Sequence, residues 1–254
     1  MIFRKALLVL AGMLVSTLTV AADNSNGAQV EAGFSRDYLN NGYADWSSSY
    51  VEAEKKLAER QVVYGMLRET ERFQQKDEEL LAGYYHPLAR QWTGLIEGNA
   101  SATHYVLPKF SVLAQLQYAF ADGWGAHFGL RHTEYDAAST NLGVFTLERY
   151  WGAYRAAYTL YSGYLAAAGS TLSQRIQFSR YYAEHSWVGV AFSGGNELEN
   201  LGNGGVLQTE VQALIVNGRH WFSRDWALSY EASLQQQGNY YTRNGVALGL
   251  RYQF

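Results

Sequence analysis

From Phe110 to Phe120 the chain alternates: Phe110, Val112, Ala114, Leu116, Tyr118 and Phe120 take every second position, with Ser111, Gln115 and Gln117 between them. A period of two puts successive side chains on opposite faces of a strand, so the segment predicts a strand with one apolar and one polar face. The last segment behaves alike, with Val246, Leu248, Leu250, Tyr252 and Phe254 on one face and Ala247, Gly249, Arg251 and Gln253 on the other. Trp124, Ala126, Phe128 and Leu130 share a face in the same way, as do Leu207, Val211, Ala213 and Ile215, and Leu228, Tyr230, Ala232 and Leu234. Along the whole chain the pattern predicts fourteen strands, near 29–38, 47–57, 62–73, 78–86, 91–102, 109–120, 124–135, 141–150, 154–164, 171–182, 187–194, 205–220, 226–236 and 243–254. The faces of 62–73 and 141–150 are ambiguous.

A soluble β-sandwich also alternates, so the connections must decide. One set is short and flanked by aromatics: Ala58-Glu59-Arg60, Pro87 to Gln91, Ala121-Asp122-Gly123, Trp151-Gly152-Ala153, Glu184-His185-Ser186 and Ser223-Arg224-Asp225. The other set is generally longer and more polar: Asn40 to Trp46, Gln74 to Asp77, Thr103 to Pro108, Asp136 to Thr140, Leu165 to Ser170, Gly194 to Gly204 and Gly238 to Thr242. Short turns alternating with longer loops, over an even number of strands, are the pattern of an all-β transmembrane barrel with periplasmic turns and external loops. Both termini then lie on the periplasmic side, in the cell outer membrane of a Gram-negative bacterium. Trp and Tyr at the turns would form the interfacial girdle, and closure is required because lipid cannot satisfy an open sheet edge.

Composition sharpens this. Twenty Tyr, seven Trp, 25 Gly and only two Pro suit strands, since proline interrupts a ladder. Mean hydropathy is only −0.24 although 48% of residues are hydrophobic, because a lumen-facing polar residue alternates with each lipid-facing apolar one. The first residues read as a secretory leader: Arg4 and Lys5, an apolar run from Ala6 to Val20, and small Ala21 and Ala22 before Asp23. The expected organisation is a signal peptide over 1–22 and one barrel domain over 23–254. Beyond the leader no run approaches the roughly 18–20 apolar residues of a spanning helix. The chain has no cysteine, so stability must come from burial and a closed hydrogen-bonded ladder. Net charge is −3, about −5 once Arg4 and Lys5 are removed, and no basic stretch invites nucleic acid.

The closing Leu248-Gly249-Leu250-Arg251-Tyr252-Gln253-Phe254 resembles the terminal strand by which the barrel assembly machinery recognises outer-membrane proteins, with Tyr252 and Phe254 as its signal residues. A closer resemblance covers nearly the whole mature chain. The order and lengths of the hairpins, Val62-Val63-Tyr64-Gly65 with Arg68 and Glu69-Thr70-Glu71-Arg72-Phe73, and Gly129-Leu130-Arg131-His132-Thr133-Glu134-Tyr135 are similar to those of the YaiO family of outer-membrane β-barrels. That resemblance implies outer-membrane residence, among its lipid and lipopolysaccharide, and a link with surface polysaccharide. It carries over no site residue.

Outer-membrane barrel enzymes usually pair a serine with a histidine near one rim. His185 and Ser186 are neighbours in sequence, which sends their side chains to opposite faces. His132 shares a face with Glu134, which could orient its ring at the aqueous mouth. No histidine pair has metal-ligand spacing on one strand. Gly194 to Gly205, with Glu197 and Glu199, reads as a flexible external loop rather than a calcium loop. No cofactor is expected, and no metal.

The lumen-facing set says more: Glu31, Glu52, Glu97, Gln115, Gln117, His127, Arg131, Arg175, Gln177, Glu210, Gln212, Glu231, Arg251 and Gln253. The principal lining candidates among them are Glu97, His127, Arg131, Arg175, Glu210, Glu231 and Arg251. Two compatible readings arise. In one, Glu210, Glu231, Arg251 and Glu31 meet at the closing seam and satisfy one another. In the other, the mixed charges line an aqueous path for small polar or saccharide solutes. The function expected is therefore a non-enzymatic channel or surface barrel, with a lipid-modifying enzyme and a docking or adhesion platform as alternatives.

Overall fold

The computed structural model describes residues 27–120, 123–136, 138–165, 169–183, 185–200 and 206–254. The leader expected over 1–22 lies outside them. The described residues form fourteen strands: β1 (Ala28–Leu39), β2 (Trp46–Ala58), β3 (Gln61–Arg72), β4 (Gln75–Pro87), β5 (Trp92–Ser101), β6 (Phe110–Phe120), β7 (Trp124–Glu134), β8 (Ser139–Trp151), β9 (Tyr154–Leu165), β10 (Gly169–Tyr182), β11 (Ser186–Asn200), β12 (Val206–Trp221), β13 (Trp226–Gln237) and β14 (Tyr241–Gln253). Each pairs antiparallel with its chain neighbours, and β14 returns to β1 to close the barrel. The closing register runs from Gln29 opposite Gln253 to Leu39 opposite Arg243. Phe254 extends it by one amide, donating to the Ala28 carbonyl at 2.9 Å. No edge is left among these strands, which is what a solvent without hydrogen bonds demands.

The distribution of side chains is that of a soluble protein turned inside out. Ile96 and Leu130 are 67% and 73% exposed on the outer face, whereas Glu31 and Arg251 are 5% and 4% exposed on the inner one. Water would penalise the first arrangement and lipid rewards it. Aromatic side chains belt the end that carries the termini: Trp92 lies on Tyr118 (centroids 4.6 Å), Trp151 on Phe178 (5.8 Å), and Trp226 on Tyr252 (4.8 Å), which in turn meets Phe254 (4.8 Å). The tryptophans and tyrosines among them are amphipathic rings at one interface of the apolar band.

Several strands are longer than the bilayer requires. A tilted crossing takes roughly 9–11 residues, yet β12 has 16. The excess emerges past the hydrocarbon, mostly at the end opposite the termini. There β11 and β12 pair as far as Asn200 opposite Val206, with Glu197 opposite Thr209. The loop expected over Gly194 to Gly204 is thus largely strand. Its Gly and Asn residues carry turn chemistry, but continued pairing of the two backbones overrides it. Likewise the turn expected over Gln74 to Asp77 is a two-residue turn at Phe73 and Gln74, both at positive φ (52° and 64°), and Asp77 belongs to β4. Two positive φ values match the right-handed twist of a tight hairpin. The longest connection among the described residues, at this same end, is 102–109.

Candidate functional site

The inner wall carries three charged groups, an apolar cluster of Val62, Tyr64, Tyr85, Leu95 and Leu113 on β3 to β6, and one aromatic group at the end opposite the termini, each assembled by register. At the seam Glu31 lies directly opposite Arg251. Arg251 donates through Nε to Glu31 (2.5 Å), through one terminal nitrogen to Glu52 (2.8 Å) and through the other to Gln29 (2.8 Å), with Glu54 at 3.8 Å. Glu31 also accepts from Tyr50 (2.7 Å) and Ser229 (2.9 Å), and Arg219 stands 3.5 Å away. A planar guanidinium with several fixed donors suits this many acceptors, and a buried charge needs them.

Further round the wall, from β3 to β7, Glu97 accepts from Tyr64 (2.5 Å) and Arg131 (2.8 Å). Arg131 donates also to Ser111 (3.1 Å), Ser111 to Asn99 (2.5 Å), and Asn99 to Glu79 (2.7 Å), which pairs with Arg68. The third group is smaller: Glu148 binds His127 (3.0 Å) and receives two donors from Arg155 (2.8 and 2.7 Å). Both tyrosines reach their carboxylates by lying flat across a glycine. A Cβ on Gly33 would fall 2.6 Å from the Tyr50 ring, and one on Gly83 would collide with Tyr64. The rings therefore hug the wall instead of standing into the lumen.

The end opposite the termini is built differently. Trp46 and Tyr241 are buried there, packed by Leu39, Tyr43, Phe73 and Tyr240. Arg72 and Arg243 both lie over the Trp46 ring, at 4.8 and 5.2 Å from its centroid, and Asp37 is 3.7 Å from Arg243. One sector further round, Asp77 is buried on the inner face of β4. Its carboxylate accepts the backbone N–H groups of Tyr105 (3.1 Å), Val106 (2.6 Å) and Leu107 (2.8 Å), all from the 102–109 loop. Tyr135, in the β7–β8 connection, is turned inward, and burial pushes its phenol up to about 12, so it stays a neutral hydroxyl.

The structure places Glu97, His127, Arg131, Arg175, Glu231 and Arg251 on the inner face, and it joins Glu97 to Arg131 and Arg251 to Glu31 and Glu52. Glu210 is a correction. It is exposed on the outer face beside Gln212, which donates to it at 3.1 Å, while Val211, Ala213 and Ile215 turn inward. The strand is apolar on both faces, so alternation alone left its register open. Pairing of Asn217 with Glu231 and of Val211 with Gln237 decides it. Glu210 sits on the part of β12 that emerges past the bilayer, where an outward polar residue costs nothing. His132 is a second correction: it faces outward, 2.9 Å from Asn141 and 3.9 Å from Glu134, and not into an aqueous mouth. Ser186 is buried and accepts the Trp221 N–H (3.0 Å), whereas His185 is exposed.

Sequence reasoning missed Tyr50, Tyr64, Glu148, Arg155 and Asp77. Tyr64 and Glu148 lie on the two strands whose faces the pattern leaves ambiguous, whereas Tyr50 and Arg155 share the parity of inner-facing neighbours and were legible by alternation. Asp77 was not, because a two-residue turn of non-glycine residues shifted the expected start of β4.

A family model described as "YaiO membrane beta barrel domain" matches residues 28–199. No curated protein matches the sequence. Among solved structures, the fold is similar to a bacterial polysaccharide outer membrane secretin (TM-score 0.57, 10% identity, covering 91% of this chain and 100% of that one). It is similar also to the outer membrane protein Omp33 of Acinetobacter baumannii (0.53, 8%, 90% and 99%) and to OmpF of Salmonella typhi in complex with daunomycin (0.51, 10%, 89% and 97%).

Proposed function

The chain belongs to the YaiO membrane β-barrel family, and from that premise we propose that it is a non-enzymatic outer-membrane channel for small polar or saccharide solutes. The observation that carries this reading is the direction of the interior ion pairs. Those of the three charged groups on the wall join strands that are neighbours or at most three apart around the ring, as in Arg251 with Glu52 or Arg219 with Glu31. Charges that pair along the wall, beside tyrosines laid flat on glycine, leave the axis to solvent. Mixed signs without a ladder of one charge favour neutral polar solutes over a strongly selected ion.

Conductance of the refolded mature protein in a planar lipid bilayer tests this, with Arg131→Glu and Arg175→Glu as probes. Stable steps are expected, and each reversal should move ion preference toward cations. A folded but silent barrel would sink the reading, and steps indifferent to both reversals would place the conducting path elsewhere.

The termini would face the periplasm, where Tyr252 and Phe254 are offered to the assembly machinery. Removing Phe254, which takes one rung from the seam and one ring from the belt, is expected to lower the amount of assembled barrel in membranes. Unchanged assembly would refute that role.

A further inference from the structure

We propose that the 102–109 loop is the element that limits the size of solute admitted, and that Asp77 is the positioning residue that holds it inside the mouth. The proposal rests on the channel reading above. Three successive backbone amides converge on one carboxylate, the arrangement by which a backbone nest holds an anion, here reversed so that the anion belongs to the wall and the nest to the loop. Asp77 is 1% exposed and faces inward, so the loop that covers it lies against the inner side of β4. Val106 and Leu107 are buried while Tyr105 beside them is exposed, so the loop presents one side to the barrel and its tip to solvent. Its other side is tied to the next connection, His104 and Lys109 each reaching Asp136 at 3.1 Å. Thr103 adds a hydrogen bond to the Lys76 carbonyl at 3.4 Å.

The neighbouring sector is already narrowed by the Trp46 and Tyr241 group, contributed by β2 and β14. The loop continues that narrowing over β4 to β6. The path left to solute runs along the opposite sector, where the inner face of β10, β11 and β12 carries the small Ser173, Ser193 and Ala213 beside Arg175 and Glu197. Hydrogen bonds to a charged acceptor are the strong ones, and a buried carboxylate stripped of them is costly, so the latch holds only while Asp77 keeps its charge and its length.

Because the chain has no cysteine, Leu107→Cys supplies a single thiol whose reaction with a maleimide reports whether the loop is seated. In folded protein, Asp77→Ala should speed that labelling by roughly tenfold or more, as local opening becomes easier. The same Asp77→Ala change, and separately replacement of residues 104–107 by two glycines, should raise conductance and admit larger neutral saccharides in liposome-swelling assays. The glycine replacement keeps the test alive if Asp77→Ala does not fold. Unchanged labelling overturns the latch. Fast labelling of the introduced thiol in the Asp77→Ala protein, with a size limit unchanged there and in the glycine replacement, overturns the loop as the limiting element while leaving the channel standing. Wild type and both variants silent in folded form would overturn the channel reading itself, whereas a silent wild type with conducting variants would make the loop a full plug and support the proposal.

Discussion

The two ends of this barrel use the same residue types to different effect. Near the termini, arginine is consumed by the wall: Arg251 donates to Glu31, Glu52 and Gln29, and Arg155 makes two contacts with Glu148. At the opposite end Arg72 and Arg243 lie over one indole with a single carboxylate at 3.7 Å, and Arg243 donates a hydrogen bond to the neutral Gln235 (2.6 Å). Buried polar atoms without a hydrogen-bond partner within the protein gather there too: Trp46 Nε1, Thr70 Oγ1, Ser101 Oγ and His104 Nδ1. The first end is organised for closure, since the seam must be fastened where the chain begins and finishes. The second leaves donors and acceptors unmatched by its own chain, as an opening that meets water and solute can.

That contrast breaks most easily at the seam. Arg251→Ala leaves Glu31, Glu52 and Glu54 facing one another with only Arg219 beside them, and it should cost about 3–5 kcal/mol in denaturant unfolding of the folded barrel. Loss below about 1 kcal/mol would show the seam to be held by its backbone ladder alone. Gly33→Ala comes next, because its Cβ would displace the Tyr50 ring and its bond to Glu31. Overpacking of that kind costs about 1–3 kcal/mol, and Tyr50→Phe in the same background should recover little, since the ring remains.

At the other end the effects should be smaller on stability and larger on transport. Arg72→Gln removes a cation stacked on Trp46 and should shift stability by only about 1 kcal/mol, while changing ion preference in bilayer recordings. An effect the size of that of Arg251→Ala would erase the distinction between the ends. Smallest of all is Glu210→Lys. On the outer face beyond the hydrocarbon it should stay within about 0.5 kcal/mol of wild type and leave selectivity untouched, whereas Glu231→Lys on the inner face should alter it. A selectivity change from Glu210→Lys would restore the rejected register of β12.

The errors of sequence reading fall along the same division. Alternation located each strand to within a few residues where the outer face is apolar, as in β6 and β14. It failed where strands outrun the bilayer: Glu210 looks inward-facing only if every outward position must be greasy, and Gly194 to Gly204 looks like loop only if pairing stops at the membrane surface. His132 was misplaced for the same reason, an outward histidine being unremarkable above the hydrocarbon.

By itself the amino-acid sequence determined the class of fold, the number of strands and the inner position of residues such as Glu97, Arg131 and Arg251, because a period of two and the demand of lipid for closed backbone hydrogen bonds act locally and leave few alternatives. Only the tertiary structure decided which charges meet. Arg251 and Glu52 are 199 positions apart in the chain, and Asp77 meets its loop 28 to 30 positions away. Such meetings depend on the register at which the sheet closes and on how far each strand continues past the membrane, and neither is written in the alternation of any one strand.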